Sequence, residues 1–183
     1  SFERYHLQAE ITKACYEFKE TTLGDPDFNN INIDQILSDR FIENLISKID
    51  IDKVYSSKKS YVTSNPETVY LTVVDRDLNA VSFINSICHV FGSGITTANS
   101  GILFQNRGVN FRLEKNHPNC IEGGKRPLHT IIPGLLTNTN NETILSYGVM
   151  GGQYQPIGQS HVLQNIIDYK QSIQEAIDFP RAF

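Results

Sequence analysis

The chain has 183 residues, of which 39% are hydrophobic and 20% are charged, so it can bury the core of one globular domain and is not expected to be disordered. A net charge of −4 and an isoelectric point near 5.7 argue against a surface that binds nucleic acid or an anionic membrane. The sequence has no run of about 18 apolar residues that would span a bilayer as a helix.

Two amphipathic helices are predicted before residue 50. The chain begins at Ser1 and enters a helical pattern without a signal peptide, so we expect it to be an internal piece of a longer protein. The first helix carries Leu7, Ile11, Ala14, Cys15 and Phe18 at helical spacing and ends at Gly24-Asp-Pro26. The second is capped by Ser38 or Asp39 and presents Phe41, Ile42, Leu45, Ile46 and Ile49. Residues 50–67 are polar and predict an exposed connection.

From Thr68 onward the pattern predicts short strands. The apolar runs on either side of Asp75-Arg-Asp-Leu-Asn79 indicate a hairpin, and Phe91-Gly-Ser-Gly94 indicates a tight loop. Further strands are predicted at 102–105, 130–138 and 143–149, with a long polar loop at 106–126. Two helices follow. The first has Val162, Leu163, Ile166 and Ile167 on its apolar side, and the second opens with a capping box of Ser172 and Glu175. This order predicts an α+β domain in which helices cover a largely antiparallel sheet.

No cofactor and no metal ion are predicted. Cys15, Cys88 and Cys120 are far apart and odd in number, so we interpret them as buried thiols rather than disulfides or metal ligands. The glycines at 92–94 and 123–124 lack the spacing of a dinucleotide or phosphate loop.

Thr68 stands at the boundary between the polar stretch Ser64-Asn-Pro-Glu67 and a β-branched strand. A hydroxyl residue at such a boundary suits a nucleophile that becomes N-terminal once the preceding peptide bond is cut. Its free α-amino group, with a pKa of about 8, would then act as the base. Threonine also begins many ordinary strands, so a structural role for Thr68 is the alternative.

The pair Gly151-Gly152 follows an apolar strand and precedes a predicted helix. Without a Cβ, its backbone N–H groups can approach a developing tetrahedral oxygen. A simple turn is the alternative for this dipeptide.

Five blocks of the chain resemble the γ-glutamyltranspeptidase family in order and spacing. They begin with Thr68-Val-Tyr-Leu-Thr-Val-Val-Asp-Arg-Asp-Leu-Asn-Ala-Val-Ser82 and continue with Phe91-Gly-Ser-Gly-Ile95, Gly101-Ile-Leu-Phe-Gln-Asn106, Lys125-Arg-Pro-Leu128 and Gly151-Gly152. The resemblance implies part of the four-layer αββα sandwich of N-terminal-nucleophile hydrolases, self-processed at Glu67–Thr68. Residues 1–67 would be the end of the large subunit with its linker, and residues 68–183 the small catalytic subunit.

The resemblance also implies roles for individual residues. Ser86 matches the second hydroxyl that holds the nucleophile, although an ordinary satisfied serine is the alternative, and Gly151-Gly152 matches the oxyanion hole. The acid that binds the α-amino group of glutamate is replaced here by Asn110, and Arg107 stands in place of a glutamine. The paired serines that hold the α-carboxylate are replaced by His129 and Thr130. We expect Thr130 to donate a hydrogen bond still, and His129 either to bind an anion when protonated or to pack.

Three functions remain open from the sequence. The first is a γ-glutamyltransferase-like hydrolase or acyltransferase that acts on a small amide. The second is a cephalosporin or glutaryl acylase-like amidohydrolase, because an amide cannot neutralise an ammonium group whereas an arginine can hold a carboxylate. The third is an inactive structural fragment. In each case the expected partner is the remainder of the large subunit, with no nucleic acid and no membrane.

Overall fold

A computed structural model describes residues 2–54 and 68–181 of the chain. The chain divides into two compact units, the first made of residues 1–62 and 108–128 and the second of residues 63–107 and 129–183. The helices are α1 (Phe2–Thr22), α2 (Ile33–Ile36), α3 (Asp39–Ile46), α4 (Gln155–Ile167) and α5 (Ile173–Asp178). The strands are β1 (Val69–Val74), β2 (Ala80–Asn85), β3 (Gly134–Thr137) and β4 (Thr143–Tyr147). The predicted α+β class is confirmed.

The first unit packs α3 against α1. The helix α3 begins where the sequence predicted, because the Ser38 hydroxyl accepts a hydrogen bond from the N–H of Phe41 at 3.3 Å. The Phe41 ring meets that of Phe18 edge-on, with centroids 4.9 Å apart. The helix α1 ends at Thr22, just before the predicted stop, whereas the single turn α2 was not predicted.

The buried face of α1 differs from the predicted apolar stripe. Glu10, Ala14 and Tyr16 are buried, whereas Ile11 is 47% exposed. Glu10 tolerates burial because its carboxylate accepts a hydrogen bond from Lys13 Nζ at 2.8 Å. Cys15 is exposed and Cys120 is half-buried, so the prediction that all three thiols are buried is confirmed only for Cys88. Spacing shows which residues share a helix face, but the packing of the unit decides how deeply each one is buried.

The long loop predicted at 106–126 is anchored within the first unit. Asp25 is 4% exposed and accepts hydrogen bonds from the backbone N–H of Arg126 at 2.7 Å and from its guanidinium at 2.6 Å. The hydrogen bonds from Arg126 hold the pKa of Asp25 well below its usual range. This contribution to stability is therefore present at neutral pH and is lost only as the pH falls through that low pKa. Arg112 also pairs with Glu20.

The second unit begins with the predicted hairpin of β1 and β2. The strands are antiparallel, with Val69 opposite Asn85 and Val74 opposite Ala80. In the turn, Leu78 has a φ of 64°, a left-handed conformation that glycine would adopt without strain.

The other strand predictions are partly confirmed. The strands β3 and β4 pair antiparallel around the predicted turn at 138–141, although both are shorter than predicted. The predicted strand at 102–105 is wrong, because those residues make a single bridge between Thr96 and Leu103 that closes a short loop. The capping box of α5 is confirmed, with Ser172 and Glu175 bonded reciprocally.

Candidate functional site

Thr68 lies immediately before β1, and the polar atom of its side chain is buried. Its Oγ1 has no hydrogen-bond partner among the residues that the structure describes. A buried hydroxyl without a partner is uncommon, since polar groups that leave water are normally hydrogen-bonded. The neighbouring Glu67, whose carbonyl belongs to the peptide bond that is predicted to be cleaved, lies outside the described residues.

Ser86 follows β2 directly. When the hairpin register is continued by one pair beyond Val69 and Asn85, Ser86 stands opposite Thr68. The Ser86 Oγ accepts a hydrogen bond from the N–H of Cys88 at 3.1 Å, and Cys88 is buried with a φ of 78°. This turn orients the serine hydroxyl, so local backbone geometry and strand pairing together position the two hydroxyl residues.

A cluster of hydroxyl groups joins the hairpin to β4. Tyr70 Oη and Ser146 Oγ are 2.8 Å apart, and Thr72 Oγ1 donates to the same serine oxygen at 2.8 Å. Ser82 Oγ donates to the carbonyl of Tyr147 at 3.3 Å. This cluster was not predicted, although Tyr70 and Thr72 lie on the same face of β1 and Ser82 is paired with Thr72.

Gly148 brings the end of β4 against the start of β1. A Cβ at this position would lie 2.3 Å from Cδ2 of Tyr70, so only glycine permits the observed approach. Tyr70 is two residues after Thr68, and Gly148 is three residues before Gly151. The contact therefore holds the segment that contains Thr68 close to the segment that leads to Gly151 within the second unit.

Gly151 and Gly152 both require positive φ, at 117° and 55°. Gly151 caps a short 3-10 turn at Gly152–Tyr154 that leads into α4, and its carbonyl accepts the N–H of Tyr154 at 3.0 Å. Within the described part of the chain, the N–H groups of Gly151 and Gly152 have no hydrogen-bond acceptor. Two consecutive backbone donors are therefore available at the end of β4.

Arg107 opens a 3-10 turn, Arg107–Asn110, and is only 7% exposed. Its Nη1 donates to Thr130 Oγ1 at 3.4 Å, which brings two of the predicted substrate-binding residues together. Its Nη2 is buried and lacks a partner among the described residues, and no described carboxylate pairs with the guanidinium. A buried cation without a counter-ion is unfavourable, so this group is suited to receive an anion.

Asn110 and His129 are engaged differently. Asn110 Nδ2 donates to the carbonyl of Leu128 at 2.8 Å, so the NH₂ group of this side chain is already engaged in a hydrogen bond within the loop. Asn119, which is 2% exposed, donates to the carbonyl of Asn110 at 2.7 Å and accepts from the N–H of Leu128 at 3.1 Å. His129 is exposed, and its Nδ1 accepts a hydrogen bond from the N–H of Ile131 at 3.2 Å. The structure therefore joins Thr130, but not His129, to Arg107.

Residues 2–54 and 68–181 contain no group of three or more His, Cys, Asp or Glu side chains that could hold a metal ion. Among the helices of these same residues, none is long and apolar enough to cross a membrane.

Comparison with known proteins gives matches over the whole chain. The model of the family described as gamma-glutamyltranspeptidase matches residues 1–183. The glutathione hydrolase-like YwrD proenzyme of Bacillus subtilis (strain 168) is 36% identical over 181 residues, which cover 99% of this chain and 34% of that protein. The oxamate amidohydrolase proenzyme of Klebsiella pneumoniae is 34% identical over 176 residues, which cover 96% of this chain and 33% of that protein.

Among solved structures, the cephalosporin acylase from Bacillus halodurans is similar to this chain with a TM-score of 0.87 and 38% identity. The match covers 99% of this chain and 32% of the acylase chain. The chain thus spans about a third of the length of the curated relatives that it matches.

Proposed function

We propose that this chain, which belongs to the γ-glutamyltranspeptidase family, forms part of an N-terminal-threonine enzyme. The enzyme cleaves a small amide and transfers its γ-glutamyl or related acyl group to water or an amine. The observation that carries this proposal is the buried Oγ1 of Thr68 just before β1, which has no hydrogen-bond partner among the described residues. The partner is the remainder of the large subunit.

Maturation is the first step of the proposal. Thr68 Oγ attacks the carbonyl carbon of Glu67, the Glu67–Thr68 amide bond breaks, and an ester forms while the threonine nitrogen becomes a free amine. Water then opens the ester, which leaves a carboxylate on Glu67 and restores the Thr68 hydroxyl. Residues 1–67 thereby become the end of the large subunit, and residues 68–183 become the small subunit.

Catalysis repeats this chemistry on a substrate. The α-amino group of Thr68 takes the proton from Oγ as Oγ attacks the substrate carbonyl, and the same proton is passed to the leaving amine. The N–H groups of Gly151 and Gly152 donate to the oxyanion of the tetrahedral intermediate, and Ser86 holds the nucleophile from the opposite strand. Water or an acceptor amine releases the acyl group from Oγ.

We also propose the four-layer αββα architecture for the complete enzyme. In the β1 and β2 hairpin, Val69, Leu71, Val73, Val81 and Phe83 form one apolar face, which is defined here as the hairpin apolar face. Its members are 44–62% exposed. An apolar sheet face of this kind is normally covered by another layer, and the remainder of the large subunit would provide that layer.

A second candidate substrate class is favoured by the environment of Arg107. The buried guanidinium lacks a counter-ion among the described residues, and Asn110 supplies no negative charge for an α-ammonium group. Both features suit a glutaryl-like acyl chain, which has a carboxylate and no α-amino group, as in a cephalosporin acylase-like amidohydrolase. Thr130, which accepts from Arg107, orients the guanidinium.

The experiment compares the full-length protein with its Thr68→Ala variant. The wild type should yield two polypeptides on a denaturing gel and should hydrolyse γ-glutamyl-p-nitroanilide or glutaryl-p-nitroanilide. The variant should remain one uncut chain without activity, because both cleavage and catalysis need Oγ. Thr72→Ala, which removes a hydroxyl of the same strand, is the matched control and should still be processed.

Two polypeptides from the Thr68→Ala protein would show that another group performs the cleavage. An uncut, inactive wild type would instead support the third possibility, a structural fragment without catalysis. Intact-mass measurement before and after incubation distinguishes slow processing from none.

A further inference from the structure

Two buried glutamines of α4 hold the backbone of Ile132. Gln155 Oε1 accepts a hydrogen bond from the N–H of Ile132 at 3.1 Å, and Gln159 Nε2 donates to the carbonyl of the same residue. Gln155 is 0% exposed and Gln159 is 7% exposed. The predicted apolar side of α4 is less buried, since Ile167 is 45% exposed. The most deeply buried face of α4 is therefore polar, and its glutamines hydrogen-bond the backbone of the segment that follows Thr130.

Gln155 has a donor that this arrangement does not use. Its Nε2 is buried and has no hydrogen-bond partner among the described residues. The amide cannot be reversed to relieve this, because Nε2 would then face the N–H of Ile132, and two donors repel. A buried donor without an acceptor is unfavourable and calls for an explanation.

Arg107 Nη2 is another buried donor that has no hydrogen-bond partner in the described part of the chain. Arg107 is anchored to Thr130 and Gln155 to Ile132, so both side chains are fixed to one segment of three residues. The two unused donors thus belong to side chains that the fold brings to the same short stretch of the second unit.

The charge of this region indicates the kind of ligand. Arg107 adds a full positive charge that no described carboxylate balances. A neutral ligand would satisfy the hydrogen bonds but leave the guanidinium charge without compensation.

We propose that Arg107 Nη2 and Gln155 Nε2 form a carboxylate subsite that binds the distal carboxylate of an anionic acyl chain. The guanidinium supplies the charge, and the glutamine amide supplies a second donor to the other carboxylate oxygen. Gln155 is thereby a specificity-determining residue, and Ile132 is the backbone position that orients it. The subsite rests on the proposed function for its catalytic use, but the binding of a free dicarboxylate does not depend on that reaction.

The test is calorimetric titration of the full-length protein with glutarate and with glutaramide, its uncharged analogue of the same length. The wild type should bind glutarate more tightly by roughly tenfold or more. Gln155→Glu keeps the oxygen that accepts from Ile132 but replaces the free N–H donor with a negative charge. It should abolish the preference for glutarate, and the melting temperature measured alongside shows whether the variant stays folded. Arg107→Gln should abolish the preference as well.

Ser160→Glu is the matched control, because Ser160 is exposed on the same helix and the variant adds the same charge away from the subsite. It should keep the preference for glutarate. Equal binding of glutarate and glutaramide by the wild type would overturn the subsite. A Gln155→Glu protein with an unchanged preference would show that Gln155 is structural only. If the wild type binds glutarate selectively but hydrolyses no amide, the subsite stands and the proposed function fails.

Discussion

At the residue scale, we expect selectivity for the acyl chain to depend on the side chains at positions 107 and 110. Asn110 presents an amide whose Nδ2 is already bonded to the carbonyl of Leu128, and Arg107 presents a buried cation. Neither residue provides the negative charge that an α-ammonium group needs. The enzyme should therefore discriminate weakly between acyl groups with and without an α-amino group, or should prefer those without it.

The variant Asn110→Asp should shift the enzyme toward γ-glutamyl substrates over glutaryl substrates. A charge-assisted hydrogen bond to a ligand contributes about 1.5–3 kcal/mol, which corresponds to roughly 10- to 150-fold in kcat/KM. The measured gain should fall at the low end, because the aspartate loses the donor to Leu128, and because Arg107, in the same 3-10 turn, carries a positive charge that opposes an α-ammonium group. The double variant with Arg107→Gln should recover more of the gain.

Asn110→Ala is the control for that experiment, since it removes the bond to Leu128 without adding charge. It should lower kcat/KM for both substrates equally. The interpretation of Asn110 is wrong if the wild type already favours the γ-glutamyl compound by a hundredfold or more.

At the element scale, Tyr70 makes two of the contacts that hold the hairpin against the end of β4. Tyr70 bonds Ser146 through its hydroxyl, and its ring covers Gly148. The same residue therefore positions the start of β1, where Thr68 stands, and the end of β4, which leads to Gly151. A change in this contact should affect stability and catalysis together.

Gly148→Ala should destabilise the protein by about 1–3 kcal/mol and lower kcat, because the new methyl group would overlap the Tyr70 ring. Calorimetry measures the fall in melting temperature, and amide hydrolysis measures the fall in rate. Tyr70→Leu removes the ring, so adding Gly148→Ala to that variant should lower the melting temperature and the rate only slightly further.

Gly123→Ala is the matched control, because a Cβ at Gly123 would meet no atom within 4 Å. It should leave both measurements unchanged. If Gly148→Ala also leaves the melting temperature and the rate of hydrolysis unchanged, the close approach to Tyr70 does not constrain the site.

At the scale of the whole molecule, the chain is about a third of the length of its curated relatives. Its hairpin apolar face is at least 44% exposed at every member residue. Apolar strand faces without a cover favour association with another surface. Residues 1–183 expressed alone should therefore self-associate with increasing concentration, as sedimentation velocity would measure.

Charges placed on this face should suppress that association. Val73 and Val81 are directly opposed in the hairpin, so Val73→Lys with Val81→Glu adds an ion pair without adding net charge. Asp77→Lys in the turn is a control outside the face and should still associate. A wild-type fragment that stays monomeric at every concentration, with a single cooperative unfolding transition, would show that this piece is self-sufficient.

The sequence by itself determined the local elements and the chemistry of single residues. The hairpin turn, the Ser38 cap and the Ser172 capping box were predictable because each depends on a few neighbouring residues. The substitutions at Arg107 and Asn110 were also visible as departures from a known pattern. The roles of Thr68, Ser86, Gly151 and Gly152 remain predictions that the proposed experiments test.

Only the tertiary structure decided which groups are buried, paired or left without a partner. The burial of Glu10 and the exposure of Cys15 were not predictable from helical spacing, and residues 102–105 form a single bridge with Thr96 instead of a strand. The same holds for the fit of Gly148 against Tyr70 and for the unused donors of Arg107 and Gln155. Periodicity describes one element at a time, whereas burial and hydrogen-bond satisfaction are properties of how elements pack together.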